Sequence, residues 1–145
     1  MQGTVETTPL VSCIIIFHNP VISFFKTAID SIISQTYTNW ELFLVDDGST
    51  NQSSEIALRY AASDPNRVTY LEHTGHQNCG MSSSRNLGVN NARGRYIAFL
   101  DSDDIWLTNK LEEQVAILEA YPNVNMVFGR TLIWVGWTGK RRHER

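Results

Sequence analysis

The segment that most constrains the fold is an almost unbroken apolar run at residues 10–17, with the sequence LVSCIIIF. A strand that is buried on one face alternates apolar and polar residues, whereas this run is apolar and β-branched on both faces. A strand covered on both sides is typical of a parallel sheet in an α/β protein. The run therefore predicts a central strand with helices above and below it.

Further strands and helices alternate along the chain. Apolar runs predict strands at 41–45, 67–71, 96–100 and 124–128, and a last one at 132–137. Three- and four-residue spacing of apolar side chains predicts helices at 23–33, 53–63, 81–92 and 108–121, with Ser23 and Ser53 as N-caps. This alternation predicts right-handed βαβ crossovers, hence an α/β fold with a mainly parallel sheet and helices on both faces.

The length of 145 residues corresponds to one domain. We expect a polar leader at 1–9, the folded domain at 10–129, and a short remainder with a basic tail at 130–145. The leader lacks the basic and apolar regions of a secretory signal, so the sequence predicts a cytoplasmic location. Two cysteines, Cys13 and Cys79, form neither a disulfide framework nor a zinc pattern, and we expect both to be free thiols.

The formal net charge is −3, although the last six residues are strongly basic. The rest of the chain is therefore more acidic still, which argues against nucleic acid as a partner, because phosphate binding requires a basic surface. The basic tail is expected to lie in solvent. Its alternative role is binding to phosphate or to anionic lipid, which would bring the protein to the inner face of the membrane as a peripheral protein.

Two predicted strands end in acidic loops. Asp46 and Asp47 follow the second strand, and Asp101, Asp103 and Asp104 follow the strand at 96–100. Open α/β sheets bind ligands at the carboxyl ends of their strands, and carboxylates there can hold Mg²⁺ beside a diphosphate. Each loop alone is also explained by turn chemistry or by a helix N-terminal carboxylate. The two together favour a nucleotide-sugar site.

The order and spacing of several motifs resemble the amino-terminal half of family 2 glycosyltransferases of the GT-A fold. The resemblance covers residues 11–129 and rests on FHN at 17–19, SQTYTNWE at 34–41, VDDGST at 45–50, SRNLG at 84–88, ARGRYI at 92–97, FLDSDDIW at 99–106 and KLE at 110–112.

The resemblance implies a role for individual residues. Nucleotide binding is assigned to six of them: His18, Asn19, Asp46, Asp47, Arg85 and Asp101. Asp47 is the first candidate for the imide of uracil, because a fixed carboxylate forms a charge-assisted bond with its N–H. Asp103, together with Asp101, would ligate Mn²⁺ or Mg²⁺, and Asp104 would be a cap or a supporting group. The implied donor is a nucleotide-diphospho-sugar, with UDP-sugars first.

Three histidines either depart from the family pattern or suggest other chemistry. His18 stands where the family usually has an aromatic residue near the base; an imidazole can also stack, but the identity of the base is left open. His73 and His76 flank Gly75, and we expect a solvated loop there rather than a metal pair. Trp40 and Trp106 are expected in the core rather than as sugar platforms.

The implied reaction is transfer of the sugar to a saccharide or lipid-linked acceptor hydroxyl with inversion. In such enzymes an acidic general base lies in the second half of the domain, and residues 130–145 contain a single acid, Glu144, in the charged tail. We therefore expect no catalytic base within this chain. The chain would be the donor-binding part of a longer protein and would be inactive by itself. We also expect it to self-associate through an uncovered sheet edge.

The alternative is a nucleotide-binding module without turnover of its own. A nucleotidyltransferase or dehydrogenase is disfavoured, because no glycine-rich phosphate loop follows the first strand. A phosphatase with an aspartyl nucleophile would place its Asp-x-Asp motif there, where this chain has His18 and Asn19.

Overall fold

The computed structural model describes residues 8–129 and residue 131, and its sheet has four parallel strands in the order β3-β2-β1-β4. The strands are β1 (Val11–Phe17), β2 (Trp40–Asp46), β3 (Val68–Glu72) and β4 (Tyr96–Asp101). The helices are α1 (Ile22–Ile33), α2 (Ser53–Ser63), α3 (Met81–Asn91) and α4 (Lys110–Ala120), with a short 3₁₀ turn at Thr74–His76. The predicted α/β class with a parallel sheet is confirmed.

The two central strands, β1 and β2, are buried along their whole length. Ile14 and Ile16 lie beside Phe43 and Val45 on one face of the sheet, where α3 packs and contributes Leu87. Gly88 of α3 allows this close approach, because a Cβ there would stand 2.7 Å from Cγ2 of Ile14.

The opposite face of the sheet carries α1 and α2. Phe17 packs against Phe25 of α1 with the ring centroids 4.5 Å apart. The hydroxyl of Ser54 in α2 donates to Asp46 at the end of β2, which points to this same side by strand alternation. Helices therefore cover both faces, as the unbroken apolar run of β1 predicts. Trp40 and Trp106 are buried, which confirms their placement in the core.

Both predicted helix caps are wrong. Helix α1 begins at Ile22 after Val21, and α2 begins after Gln52, in neither case with a side-chain cap. The chain turns into α1 directly after Pro20, so Ser23 already lies inside the first turn. The hydroxyl of Ser53 donates to the side chain of Asn51 instead of capping an amide.

The strand predicted at 124–128 is also wrong, because those residues have no regular secondary structure. Alternating apolar residues form a strand only where a neighbouring strand pairs with them, and among the described residues none pairs with this segment. Met126 and Phe128 are exposed. The strand predicted at 132–137 lies outside the described residues.

The chain divides into two compact units, residues 1–113 and 114–145, and the whole sheet belongs to the first. The boundaries predicted at residues 9 and 129 stay predictions. Strand β4 is an edge of the sheet as described, and its side chains Ile97 and Phe99 are exposed. Self-association through this edge stays a prediction. Within the described residues, no helix is both long enough and apolar enough to cross a membrane.

Candidate nucleotide-sugar site

A cavity of about 270 Å³ lies at the carboxyl ends of β1, β2 and β4. Its lining includes His18, Asp47, Asp101 and Asp103, so four of the predicted site residues meet in one crevice. The rest of the lining comes from Ile16, Phe17, Met81 and Ser102. The other predicted residues, Asn19, Asp46 and Arg85, lie outside this lining. The crevice thus has Asp47 on the β2 loop and two carboxylates on the β4 loop.

Asp46 is a buried support of its loop. One carboxylate oxygen accepts the backbone N–H of Ser49 at 2.8 Å, and the other accepts the hydroxyls of Ser54 at 2.5 Å and Tyr70 at 3.0 Å. Its side chain belongs to the face of Leu44, and strand alternation could have shown this from the sequence. Asp46 holds the loop that carries Asp47 and does not reach the crevice.

Asp47 joins the β2 loop to the amino end of α3. Its Oδ1 accepts the backbone N–H groups of Cys79 at 2.7 Å and Gly80 at 3.0 Å, and its Oδ2 accepts the second of these at 3.1 Å. A carboxylate offers about four lone-pair sites, so Oδ2 retains capacity for a further donor. The amino end of a helix also carries a partial positive charge, which attracts negatively charged groups. Asp47 is thus fixed in place and still able to accept a bond from a ligand.

His18 and Asn19 connect the ends of β1 and β2. The Nδ1–H of His18 donates to the backbone oxygen of Asp47 at 2.9 Å, which leaves Nε2 as the acceptor in the neutral ring. The side-chain oxygen of Asn19 accepts the backbone N–H groups of Thr50 at 2.7 Å and Asn51 at 3.1 Å. Asn19 adopts a left-handed φ of 47°, which asparagine tolerates better than most residues. Asn19 therefore holds the loop after β2 against the end of β1 without lining the crevice itself.

Arg85 reaches the β4 loop from α3. Its guanidinium nitrogen NH2 lies 3.6 Å from Oδ1 of Asp101, and both side chains are partly exposed. A planar cation beside the crevice can pair with a carboxylate or with a phosphate. Arg85 thus stands next to the crevice, paired with one of its carboxylates.

The β4 loop offers carboxylates for a hard cation. The backbone N–H of Asp104 donates to the backbone oxygen of Asp101 at 3.1 Å, which closes a turn. Burial raises the pKa of Asp104, and the charges of Asp103 and Asp101 raise it further. Among the described residues, no three His, Cys, Asp or Glu side chains are grouped to hold a metal ion. Mg²⁺ is commonly bound by one or two carboxylates plus substrate phosphates, and Asp101 with Asp103 fits that pattern.

Sequence reasoning missed the residues that hold the β4 loop from behind. The amide nitrogen of Gln35 donates to the backbone oxygens of Ser31 at 2.9 Å and Leu107 at 2.7 Å, and its oxygen accepts the backbone N–H of Leu111 at 3.0 Å. The hydroxyl of Ser31 accepts the backbone N–H of Trp106 at 3.2 Å. The signal available in the sequence was a glutamine just after an apolar helix; in the structure this side chain is buried, where its polar atoms need partners.

Two histidines of the loop at 73–80 contact neighbouring elements. His73 lies 2.9 Å from the hydroxyl of Ser84 through its Nε2, and 3.9 Å from Asp47. His76 contacts Glu72 and the backbone of Ser49. These contacts shield much of His73, whereas His76 is partly exposed and most of the loop is exposed, as expected for a solvated loop. In the part of the chain described here, neither histidine belongs to a group of three or more His, Cys, Asp or Glu side chains that could hold a metal ion.

A second cavity, of about 300 Å³, lies between α1 and α2 and is lined by Lys26, Arg59 and Tyr60, among others. It contains none of the predicted site residues. The sequence therefore assigns no chemistry to this second cavity.

Comparison with known proteins decides the family. Residues 12–145 match the family described as "Glycosyl transferase family 2". The chain belongs to glycosyl transferase family 2. This confirms the resemblance inferred from the sequence motifs.

Curated members of family 2 are similar over most of this chain. An uncharacterized glycosyltransferase of Rickettsia prowazekii (strain Madrid E) is 37% identical over 120 residues, which cover 83% of this chain and 35% of the relative. A UDP-Glc:alpha-D-GlcNAc-diphosphoundecaprenol beta-1,3-glucosyltransferase of Escherichia coli is 38% identical over 104 residues, covering 72% of this chain and 39% of the relative. This family 2 chain therefore spans little more than a third of either relative.

Solved glycosyltransferase structures share the fold. A mannosyltransferase from Pyrobaculum calidifontis, in complex with GDP-Man and Mn²⁺, aligns with a TM-score of 0.69 at 25% identity and covers 78% of this chain and 33% of the other. S. aureus TarS 1–349, in complex with UDP, aligns with a TM-score of 0.68 at 23% identity and covers 77% of this chain and 32% of the other. These matches confirm the GT-A fold for this family 2 chain.

Proposed function

We propose that the crevice binds a nucleotide-diphospho-sugar, with a UDP-sugar as the first candidate. One observation carries the proposal: Asp47 and His18 line the same cavity as Asp101 and Asp103. Asp47 and His18 can hydrogen-bond to and stack on a base. Asp101 and Asp103 can hold a cation that is bound to a sugar diphosphate. The Escherichia coli relative, which is named for its use of UDP-Glc, supports the choice of UDP.

At the base end of the crevice, Asp47 accepts the imide N–H of uracil through Oδ2, and the ring of His18 stacks on the base. The bonds from Cys79 and Gly80 already orient the carboxylate, so little ordering is needed on binding. Asn19 and Asp46 act behind this surface, because their oxygens are bonded to neighbouring backbone and hydroxyl groups. Asp47 therefore provides the direct contact with the base.

At the diphosphate end, Asp101 binds ribose hydroxyls or a metal-bound water, and Asp103 is the main ligand of Mn²⁺ or Mg²⁺. Arg85 contributes a positive charge from α3. The bound cation supplies neutralisation of the departing diphosphate. The mannosyltransferase structure that contains Mn²⁺ supports the use of a divalent metal.

We also propose that the longer protein transfers the sugar to an acceptor hydroxyl with inversion, and that this chain does not turn over alone. Three carboxylates line the crevice of the described residues, Asp47, Asp101 and Asp103, and all three have binding roles. None is left to deprotonate an acceptor, a step that contributes about 10²–10⁴-fold. The acceptor, a membrane association and the cytoplasmic location predicted from the sequence stay predictions.

Calorimetric titration tests the binding proposal. UDP, GDP and ADP are titrated into the chain with Mn²⁺ and again with a chelator. We expect UDP to bind most tightly and the metal to tighten it. A chain that binds none of the three would refute the proposal, and a preference for GDP would overturn the choice of base.

Turnover is tested separately, with a panel of UDP-sugars and saccharide acceptors. The expected result is donor binding without multiple-turnover transfer. Robust transfer by the 145-residue chain would show that it contains the catalytic base, and would also exclude the alternative of a module that only binds nucleotide.

A further inference from the structure

The imidazole of His76 lies between two hydrogen-bond acceptors. Its Nδ1 is 2.6 Å from Oε2 of Glu72, at the end of β3, and its Nε2 is 2.7 Å from the backbone oxygen of Ser49, in the loop after β2. A carbonyl oxygen and an ionised carboxylate carry no proton to donate. Both bonds can therefore exist together only when both ring nitrogens are protonated.

The backbone places the ring in this position. Gly75 has a φ of 71° and His76 a φ of 54°, so the chain passes through two consecutive left-handed residues. This conformation is unusual for histidine, and it turns the side chain back toward the β2 loop. The cost of such a conformation must be offset by contacts that the side chain makes.

The charges around the ring favour the protonated form. The ionisable groups that face it are Glu72 and Tyr70 on β3 and Asp46 at the end of β2. The Tyr70 hydroxyl has one proton and lies 2.8 Å from Glu72 and 3.0 Å from Asp46, so it donates to only one of these carboxylates at a time, and both keep their negative charge. The Ser49 carbonyl, and then Glu72, raise the pKa of His76.

The loop at residues 73–80 touches the Asp46–Ser49 loop at a second place. There the carboxylate of Asp47 accepts the backbone N–H groups of Cys79 and Gly80. The bond from His76 to Ser49 therefore joins the same two loops as the bonds that orient the carboxylate of Asp47. Loss of that bond would loosen the carboxylate that faces the base.

We propose that protonated His76 latches the 73–80 loop onto the loop after β2, and that nucleotide affinity falls when His76 loses its proton. His76 is a positioning residue in this scheme, since it acts through Asp47. The inference rests on the proposed function, because it concerns the same crevice. Because the latched state binds the proton of His76 more tightly than the open state does, the pKa of His76 is raised in the latched state. The latch is therefore complete below the ordinary histidine pKa and is lost as the pH rises through the raised pKa.

The first test is the pH dependence of UDP binding. Calorimetry with Mn²⁺ is carried out from about pH 5.5 to about pH 8.5, on either side of the usual histidine range. The variants are His76→Asn, which tolerates a left-handed φ but cannot bridge the two acceptors, and Glu72→Gln. Glu55→Gln is the matched control, because it removes an exposed carboxylate of an i,i+4 pair on α2.

Between the lowest and the highest pH, the dissociation constant for UDP should rise in both proteins. We expect the rise in the unchanged chain to be about ten times that in His76→Asn, the size of effect expected for one charged hydrogen bond. The terminal phosphate of UDP also titrates here, but that contribution is common to all variants. Glu72→Gln should move the transition to lower pH, and Glu55→Gln should leave it unchanged. Equal pH profiles in the unchanged chain and in His76→Asn would overturn the latch.

The second test needs no ligand. The protection factors of the Cys79 and Gly80 amides, which compare the observed hydrogen exchange with the intrinsic rate at the same pH, should be high at low pH and lower at high pH. In His76→Asn they should be low at both. If UDP does not bind at any pH but this protection follows the protonation of His76, the proposed function fails and the latch stands. If UDP binds and the protection is independent of pH, the latch fails and the proposed function stands.

Discussion

Gly48 lies so close to Asn78 that a Cβ on the glycine would stand 2.6 Å from the backbone nitrogen of Asn78. The contact joins the turn after β2 to the loop before α3, at the base end of the crevice. Gly48 also has a φ of 75°, which favours glycine. Two separate constraints, backbone conformation and space, thus act on one residue of the Asp-Asp-Gly-Ser turn.

Gly48→Ala should destabilise the chain more than Gly75→Ala does. Gly75 has a similar φ of 71°, but a Cβ there meets only the Gln77 side chain at 3.9 Å. In both variants the left-handed backbone should lower the free energy of unfolding by roughly 1–2 kcal/mol. Overpacking should lower that of Gly48→Ala by about 1–3 kcal/mol more. Urea unfolding measures the difference. Equal losses would show that the two loops separate without cost.

Asp47→Asn should weaken UDP binding by about 1.5–3 kcal/mol, the range for a hydrogen bond to a charged group. The asparagine oxygen can still accept the amides of Cys79 and Gly80, so the melting temperature should change little. Calorimetry and thermal unfolding measure the two effects. Asp64→Asn is the control, since that carboxylate pairs with Arg67 away from the crevice. Unchanged affinity in Asp47→Asn would remove this residue from the base site.

Asp103→Ala should abolish the gain in UDP affinity that Mn²⁺ provides and leave uridine binding nearly unchanged, because uridine has no phosphate for the cation to bridge. Titrations of UDP and uridine with Mn²⁺ and with a chelator measure this. Glu113→Ala, which removes an exposed carboxylate on α4, should keep the gain. A full metal effect in Asp103→Ala would exclude it as a ligand.

Glu41→Gln should lower stability by about 1–3 kcal/mol near neutral pH. Glu41 is buried and accepts bonds from the Ser12 hydroxyl at 2.7 Å and from Arg93 through its backbone N–H at 2.9 Å and its guanidinium at 2.6 Å. Burial opposes its ionisation, but these bonds outweigh burial and lower its pKa.

A lowered pKa stabilises the fold above the ordinary glutamate value of about 4.3, and this contribution disappears as the pH falls through the lowered value. The stability difference between the native chain and Glu41→Gln should therefore shrink in acid, as urea unfolding at several pH values would measure. Glu55→Gln, in an exposed pair, should cost at most about 0.5 kcal/mol at any pH. If the stability difference between the native chain and Glu41→Gln did not change with pH, the proposal that Glu41 is ionised in the folded chain would be wrong.

The sequence predicted the sheet well, because strands covered on both faces leave a local pattern. The run at 10–17 needs no knowledge of its neighbours to be read as a central strand, and the structure confirms it as Val11–Phe17. The apolar residues at 124–128 also predicted a strand, but a strand requires a pairing partner. Local propensity does not contain that information.

The candidate site was predictable at the level of loops and less so at the level of side chains. Asp46 and Asp47 are adjacent in sequence, yet the first is buried under Ser54 and Tyr70 and the second lines the crevice. Contacts from distant residues, such as Gln35 to Leu111, leave no periodic signal. They arise from the way the elements pack after the chain has folded.

The bonds around Glu41 lie at the amino ends of the strands, where the N–H of Gly94 donates to the Ser12 hydroxyl at 2.8 Å. The proposed ligand contacts lie at the opposite ends. A saturation-mutagenesis library sorted both for abundance and for nucleotide capture would therefore separate into two spatial classes. Variants at Ser12, Glu41 or Gly94 would lose abundance while their surviving molecules still bind, and variants at Asp103 would remain abundant but lose the Mn²⁺-dependent part of nucleotide capture.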